Sequence, residues 1–188
     1  MSLIAICSSK INREGYIRTS CAFYNTEDTE NRFVHLTNNA IQKYSDNYGK
    51  YEDGNQLSYA SFQKYLDENF KDYNISFINN IMPKIKCLII KSVLSVRKLI
   101  NQEKRKYCFE IFGYDFILDS DFNTWLIEVN TNPCLEESSK LLKMLIPRMV
   151  DDAFKLTVDV LLPAPSNVFY NEIYPVDYYT DYENLWFQ

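Results

Sequence analysis

Glycine is scarce in this chain: 188 residues hold four, Gly15, Gly49, Gly54 and Gly113. No two stand close enough to build a glycine-rich phosphate loop, which excludes a Walker loop and a dinucleotide-binding turn. Histidine is scarcer still. With His35 alone, a multi-histidine metal centre and a conventional catalytic triad have no material to work with. The five cysteines (Cys7, Cys21, Cys87, Cys108 and Cys134) are odd in number and scattered, which argues for reduced thiols and against a zinc knuckle. No apolar run approaches the roughly 20 residues needed to span a bilayer, and no signal peptide precedes the first strand-like run. We therefore expect a cytoplasmic protein with no membrane contact.

What is present is enough for a packed core: 46% hydrophobic residues and 15% aromatic make disorder the wrong default. The length fits one domain or part of a larger one. The opening SLIAICSSK runs straight into strand-like sequence without a cap or turn, so we expect a piece of a longer chain. The last six residues, ENLWFQ, differ from the tag-removal site ENLYFQ at one position. We expect residues 183–188 to be a remnant of such a site, residues 166–182 to be a tail, and residues 1–165 to form the domain.

Residues 2–9 and 15–24 read as two strands joined by a polar turn around SKINREG, with Gly15 supplying the turn. A loop, YNTEDTENR, should follow. FVHLTNN then leads into a short helical or turn segment ending near Tyr44, and SDNYGKYEDGNQ reads as turn-rich and exposed. From Ser58, a plausible N-cap, Tyr59, Phe62, Leu66 and Phe70 have the spacing of one helix face. Residues 75–100 repeat the pattern through Ile78, Ile81, Ile85, Leu88, Ile89, Val96 and Leu99, with Pro83 either starting the main helix or kinking a longer one. YCFEIFGYDFIL and NTWLIEVN, separated by DSDF, form a hairpin. A closing amphipathic helix interrupted at Pro147 comes last, and LPAPSN ends the domain.

The hairpin carries the candidate chemistry. If it pairs Asp115 with Glu128, alternation puts Glu128 and Asn130 on one face and Trp125, Ile127 and Val129 on the other. Asp115, Glu128 and Asn130 then make a compact oxygen cluster, the kind a hard cation such as Mg2+ takes, with waters and substrate phosphates completing the shell. The competing reading is ordinary polar residues on a solvated sheet face. Spacing alone leaves both open.

Three stretches in succession, EGYIRTSCAFYN, HLTNNAIQKYSDNYGKYEDGNQ and FEIFGYDFILDSDFNTWLIEVNTNP, resemble the tubulin–tyrosine ligase-like family, whose fold is ATP-grasp. The resemblance runs from Gly15 to about Pro163. It implies an α+β fold: the C-terminal lobe of an ATP-grasp enzyme, with a mostly antiparallel sheet packed by amphipathic helices and the N-terminal lobe absent. Carried across, the metal ligands are Asp115, Glu128 and Asn130, and the cofactors are ATP and Mg2+. HLTNN lies beside the nucleotide and amino-acid site in that family, so Thr37 and Asn38 become candidates for contacting phosphate or the incoming amino acid. The alternative is that they satisfy a turn. Arg18 in YIRTS matches a family arginine and is the catalytic candidate, gripping phosphate or carboxylate; a structural salt bridge is its competing role. His35 reads as a packed or supporting residue.

The family joins an amino acid to a protein carboxylate through an acyl phosphate at the expense of ATP. The Thr131-Asn132-Pro133-Cys134 sequence after Glu-Val-Asn is nearer to the glutamate- or glycine-adding relatives than to the tyrosine ligase, although many of those have Ser where Cys134 stands. Because the upstream lysines and adenine-binding segment of the family precede the equivalent of Ser2, the chain alone is expected to be inactive. Its alternative role is a non-catalytic tubulin- or microtubule-binding member. Separately, eight Lys or Arg and one acid between Lys84 and Lys106 give that segment a charge of +7 in a chain of net −5. Lys84, Lys91, Lys98 and, if the helix persists, Arg105 would form a stripe attractive to an acidic tail such as tubulin's. A solvated helix face is the plain alternative. Overall acidity and the lack of a recognisable module argue against nucleic acid. The expected partners are tubulin or another acidic-tailed protein and a free amino acid, in the cytoplasm and, within it, at the cytoskeleton or cilium.

Overall fold

The computed structural model describes residues 2–6, 10–162 and 182–184, with side chains described over 14–162. It is an α+β fold, as expected. Five antiparallel strands lie in the order β3-β2-β1-β4-β5: β1 is Ser2–Ile6, β2 Lys10–Arg18, β3 Gln56–Ser58, β4 Ile111–Leu118 and β5 Thr124–Asn130. Between them run two one-turn helices, α1 (Arg32–His35) and α2 (Asn39–Gln42), and the longer α3 (Tyr59–Asn69) and α4 (Met82–Val96). A 22-residue helix, α5 (Lys140–Leu161), closes the fold.

Helices α3 and α4 cover one sheet face. Ile17, Leu66, Phe77, Ile81, Ile85, Ile89, Tyr114 and Phe116 form the core there, with Tyr59, Phe62, Leu88 and Phe70 packed against it. Each fully buried aliphatic or aromatic side chain contributes about 1.5–3 kcal/mol. The Tyr114 hydroxyl is satisfied by Ser92 Oγ of α4 at 2.9 Å. Ser58 caps α3 as expected, its hydroxyl accepting from Ser61 N. Helix α5 lies on the other face beside β2 and β3. There Arg148 pairs with Glu14 of β2 at 3.2 Å, and Leu142, Ile146, Met149 and Ala153 are buried.

Several expectations need correction. Residues 10–15 are strand rather than turn: Gly15 sits inside β2 opposite Leu3, and the pairing shifts register between Leu3 and Ala5, which absorbs the polar stretch as an irregular ladder. The strand expected to reach residue 24 stops at Arg18. Pro83 lies in the first turn of α4, where its missing N–H costs nothing, so it starts the helix. A π-helical turn at Phe77–Ile81 precedes it and widens the spacing, so Phe77 and Ile81 point inward while Ile78 is 61% exposed. Val96 and Leu99 are also exposed and α4 ends at Val96, because a helix without a buried face loses its tertiary support. The seven-residue recurrence therefore holds on α4 only for Lys84 and Lys91. Lys98 lies beyond the helix, and Lys84 Nζ donates to the Phe122 carbonyl at 3.2 Å.

Pro147 does not interrupt α5. The carbonyl deprived of a donor belongs to Lys143, an exposed residue on the solvent side. In SDNYGKYEDGNQ, Asn55 and Gln56 are buried rather than exposed, because both side chains are engaged by distant segments. Of the expected tail and tag remnant, Tyr182–Asn184 form a strand, β6, paired with Lys10–Asn12 of β2; residues 163–181 and 185–188 lie outside the described residues. Among the described residues no helix is long and apolar enough to cross a membrane.

Candidate functional site

The β4–β5 hairpin pairs Asp115 with Glu128 and Gly113 with Asn130, the register expected from the sequence. Paired residues share a face, so Asp115, Glu128 and Asn130 project together. They point away from the core, since Tyr114 and Phe116 of the same strand are buried beneath α4. One step further the ladder changes: Phe116 pairs with Leu126, so Ile127 is a surplus residue, a β-bulge. Its effect is to reverse the expected alternation. Trp125 pairs with Ile117 and thus lies on the same face as Asp115, not on the opposite one. The turn after Leu118 is held by Asp119, whose Oδ1 accepts from Asp121 N and Asn123 N and whose Oδ2 accepts from Asn123 Nδ2 and Trp125 Nε1. These bonds, the Trp125 indole first, lower the Asp119 pKa to about 2.

The strand ends at Asn130, and the packing of Pro133 beyond it shows where the chain goes next. After Asn130 the chain folds back and lays Pro133 over Gly113; a Cβ at residue 113 would stand 2.9 Å from Pro133 Cβ. The glycine is needed for close approach, and the fold-back after Asn130 lets residues 131–138 form one wall of a cleft.

That cleft, of about 410 Å³, is lined by Arg18, Thr37, Asn38, Asp115, Glu128 and Asn130. All six residues singled out from the sequence are thus brought together, from four separate stretches of chain. Ser2 pairs with both Tyr16 and Asp115, which puts β2 two strands from β4. From there Arg18 reaches across, and its Nη2 donates to both Asp115 oxygens, at 3.0 and 3.3 Å. Both side chains are largely screened from solvent, so this charge-assisted contact is stronger than a surface pair. Asn130 Nδ2 donates to Glu128 Oε1 at 3.0 Å, leaving the Asn130 carboxamide oxygen as an acceptor. Two carboxylates and one carboxamide oxygen form a hard-oxygen donor set, which suits magnesium better than a soft transition metal. A carboxylate offers about four lone-pair positions, so Arg18 does not exhaust Asp115. Among the described residues no group of three His, Cys, Asp or Glu is arranged to hold a metal, so the third donor here would be the amide.

Asn38 is the N-cap of α2 yet makes no side-chain capping bond. His35 lies outside the cleft, its Nε2 against the Asp28 carbonyl at 2.7 Å and its ring edge-on to Tyr24. Cys134 lines the cleft, and Cys21, Cys87, Cys108 and Cys134 are all free thiols.

Sequence reading missed the supports. Asn55, at φ +54°, accepts from Gly49 N and donates to the Thr19 carbonyl and Cys21 Sγ. Gln56 Oε1 accepts from Ser139 Oγ at 2.6 Å, Ser139 caps α5, and Asp53 accepts from Lys140 N. EDGNQ is therefore the bracket that fixes the start of α5 against the cleft. Tyr48, beside it, has its pKa raised by burial and then by Asp53. The signal available was chemical: four polar residues with side-chain carbonyl or carboxylate groups within five positions, more than one turn needs.

An antiparallel sheet flanked by helices, with an oxygen-rich hairpin opening on the cleft, makes an α+β domain, and the family it matches makes it ATP-grasp-like. The chain belongs to the tubulin-tyrosine ligase family, whose pattern matches residues 11–167. It is 38% identical over 146 residues to Tubulin glycylase 3B of Tetrahymena thermophila, covering 78% of this chain and 12% of that protein. To Tubulin glycylase 3D of the same organism it is 37% identical over 163 residues, 85% of this chain and 15% of the relative. To the Probable alpha-tubulin polyglutamylase Ttll1, also from that organism, it is 34% identical over 131 residues, 70% of this chain and 30% of the relative. The chain thus spans between 12% and 30% of the length of these three.

Proposed function

We propose that this chain is the metal- and phosphate-binding lobe of an ATP- and magnesium-dependent ligase. The complete protein would add glutamate or glycine, rather than tyrosine, to a carboxylate of tubulin or another acidic protein. The observation that carries the reading is the cross-strand opposition of Asp115 and Glu128, with Asn130 on the same face and Arg18 on Asp115. The relatives named as glycylases and polyglutamylases support the choice of amino acid. In this reading Asp115, Glu128 and the Asn130 oxygen would hold Mg2+, which would supply charge neutralisation and orientation to the transferred phosphoryl group. Arg18, anchored on Asp115, presents a fixed cation to phosphate or to the acceptor carboxylate. Thr37 and Asn38 supply hydrogen-bonding groups to the phosphates or the incoming amino acid from the facing wall. The acceptor carboxylate takes the γ-phosphoryl group of ATP, with ADP leaving, to give an acyl phosphate. The neutral amine of the added amino acid then attacks the acyl carbon, phosphate leaves and the amine's proton passes to solvent, which forms the amide. The chain's residues contribute charge and position, which is most of what such a transfer asks of a protein. We assign the cations Lys91 and Lys98, with Lys84 tied to the hairpin turn, a long-range role in drawing an acidic tail. The site of action would be the cytoplasm, at the cytoskeleton or cilium.

The test is Glu128→Gln in the complete protein, assayed with ATP, magnesium and each of tyrosine, glutamate and glycine on tubulin. Turnover should vanish with the fold intact; retained ligase activity overturns the proposal. A second reading, a tubulin-binding member without catalysis, draws on Arg18 engaging both oxygens of Asp115. It would show tubulin binding and no turnover in the unmodified complete protein.

A further inference from the structure

Gln42 ends α2 and is 0% exposed at the edge of the cleft. A carboxamide has two N–H donors and one oxygen, and all are spent on backbone. Oε1 accepts from Cys21 N at 2.8 Å, while Nε2 donates to the Phe33 carbonyl at 3.2 Å and to the Leu36 carbonyl. Cys21 follows the strand that carries Arg18. Leu36 is the C-cap of α1 and directly precedes Thr37. One buried side chain thus ties the arginine strand to the linker between two one-turn helices, each too short to hold its neighbours by its own ladder. Two of the linker's three residues, Thr37 and Asn38, line the cleft and make no side-chain hydrogen bond among the described residues. Polar side chains with unspent capacity, on a segment without regular structure, recognise a ligand only if something outside the segment fixes them.

We infer that Gln42 is a positioning residue: through its amide it fixes the Thr37–Asn38 linker relative to Arg18, and so sets the affinity of the cleft for the phosphate-bearing ligand. This rests on the nucleotide reading above. Two variants of the complete protein separate it from a general loss of fold. Gln42→Glu keeps an oxygen for Cys21 N and removes both donors, cutting the ties to Phe33 and Leu36 alone; Gln42→Met keeps the length and removes every bond. Expected in the folded protein is a rise of about tenfold or more in the KM for ATP with magnesium, with kcat at saturation falling much less. The Thr37 methyl NMR signal should also lose order while the Ile85 and Ile89 methyls stay rigid. An unchanged KM together with an unchanged Thr37 methyl in Gln42→Glu overturns the inference. If neither variant folds, the unsubstituted protein decides: a Thr37 methyl as rigid as those of Ile85 and Ile89 supports the brace, and a freely moving one overturns it. If the unsubstituted protein binds no ATP, the nucleotide reading fails, and the methyl measurement still decides whether Gln42 braces the linker.

Discussion

Replacing Gly113 with Ala is the sharpest probe of how the hairpin and the cleft wall are joined. The added Cβ would meet Pro133 Cβ at 2.9 Å and Asn130 Cβ at 3.8 Å. Carbon atoms rest comfortably at about 3.5–4.0 Å, so Pro133 has to withdraw by roughly 0.6–1.1 Å. Neither partner can yield cheaply, because residue 113 is held in the ladder opposite Asn130 and the proline ring is rigid. Overpacking of this kind costs about 1–3 kcal/mol, and each kcal/mol lowers the melting temperature of a chain this size by about 2–4 °C. The expected loss is therefore about 2–12 °C, read by thermal unfolding. In the complete protein, an ångström of displacement in the wall beside Asn130 should lower turnover by about a hundredfold. Pro133→Gly removes the carbon that the new methyl meets, so the double variant should recover part of the loss. A Gly113→Ala protein that melts within a degree of the parent, or a double variant whose losses merely add, would refute the argument.

Three further outcomes follow from the packing. Ile85→Ala should cost about 2–5 kcal/mol and Ile78→Ala less than about 0.5, measured by urea unfolding, since only Ile85 is buried. Ser139→Ala removes the cap of α5 and strands Gln56 without its 2.6 Å partner, for a loss of about 1–3 kcal/mol in the same assay. The Trp125 indole proton should shift in NMR spectra with a midpoint near pH 2, where Asp119 titrates. Because that pKa is lowered, the stabilisation is complete above the ordinary carboxylate value and is lost as pH falls through 2. Trp125→Phe should move the Asp119 titration upward.

The parts legible in the sequence were those governed by local pattern. Leu66 and Phe70 announce α3 by spacing, and Asp115, Glu128 and Asn130 announce the hairpin register because two short strands and a tight turn leave few alternatives. Ile127 could not be read as surplus: a bulge is settled by what the partner strand offers, and alternation counted along β5 alone passes straight through it. Ile78 failed for a similar reason, since a π-helical turn shifts the phase before α4 begins. The bracket of Asp53, Asn55 and Gln56 escaped because its partners, Thr19, Cys21 and Ser139, are distant in sequence. The motif residues were found without the scaffold that aims them.

The extra residue in β5 also acts as a latch. For the strand to slide along β4, the irregularity would have to migrate through the ladder, breaking bonds on both sides of it. Thermal loosening at the hairpin tip should therefore leave the two opposed acids facing each other. Their mutual alignment outlasts the order of the turn that first brought them together.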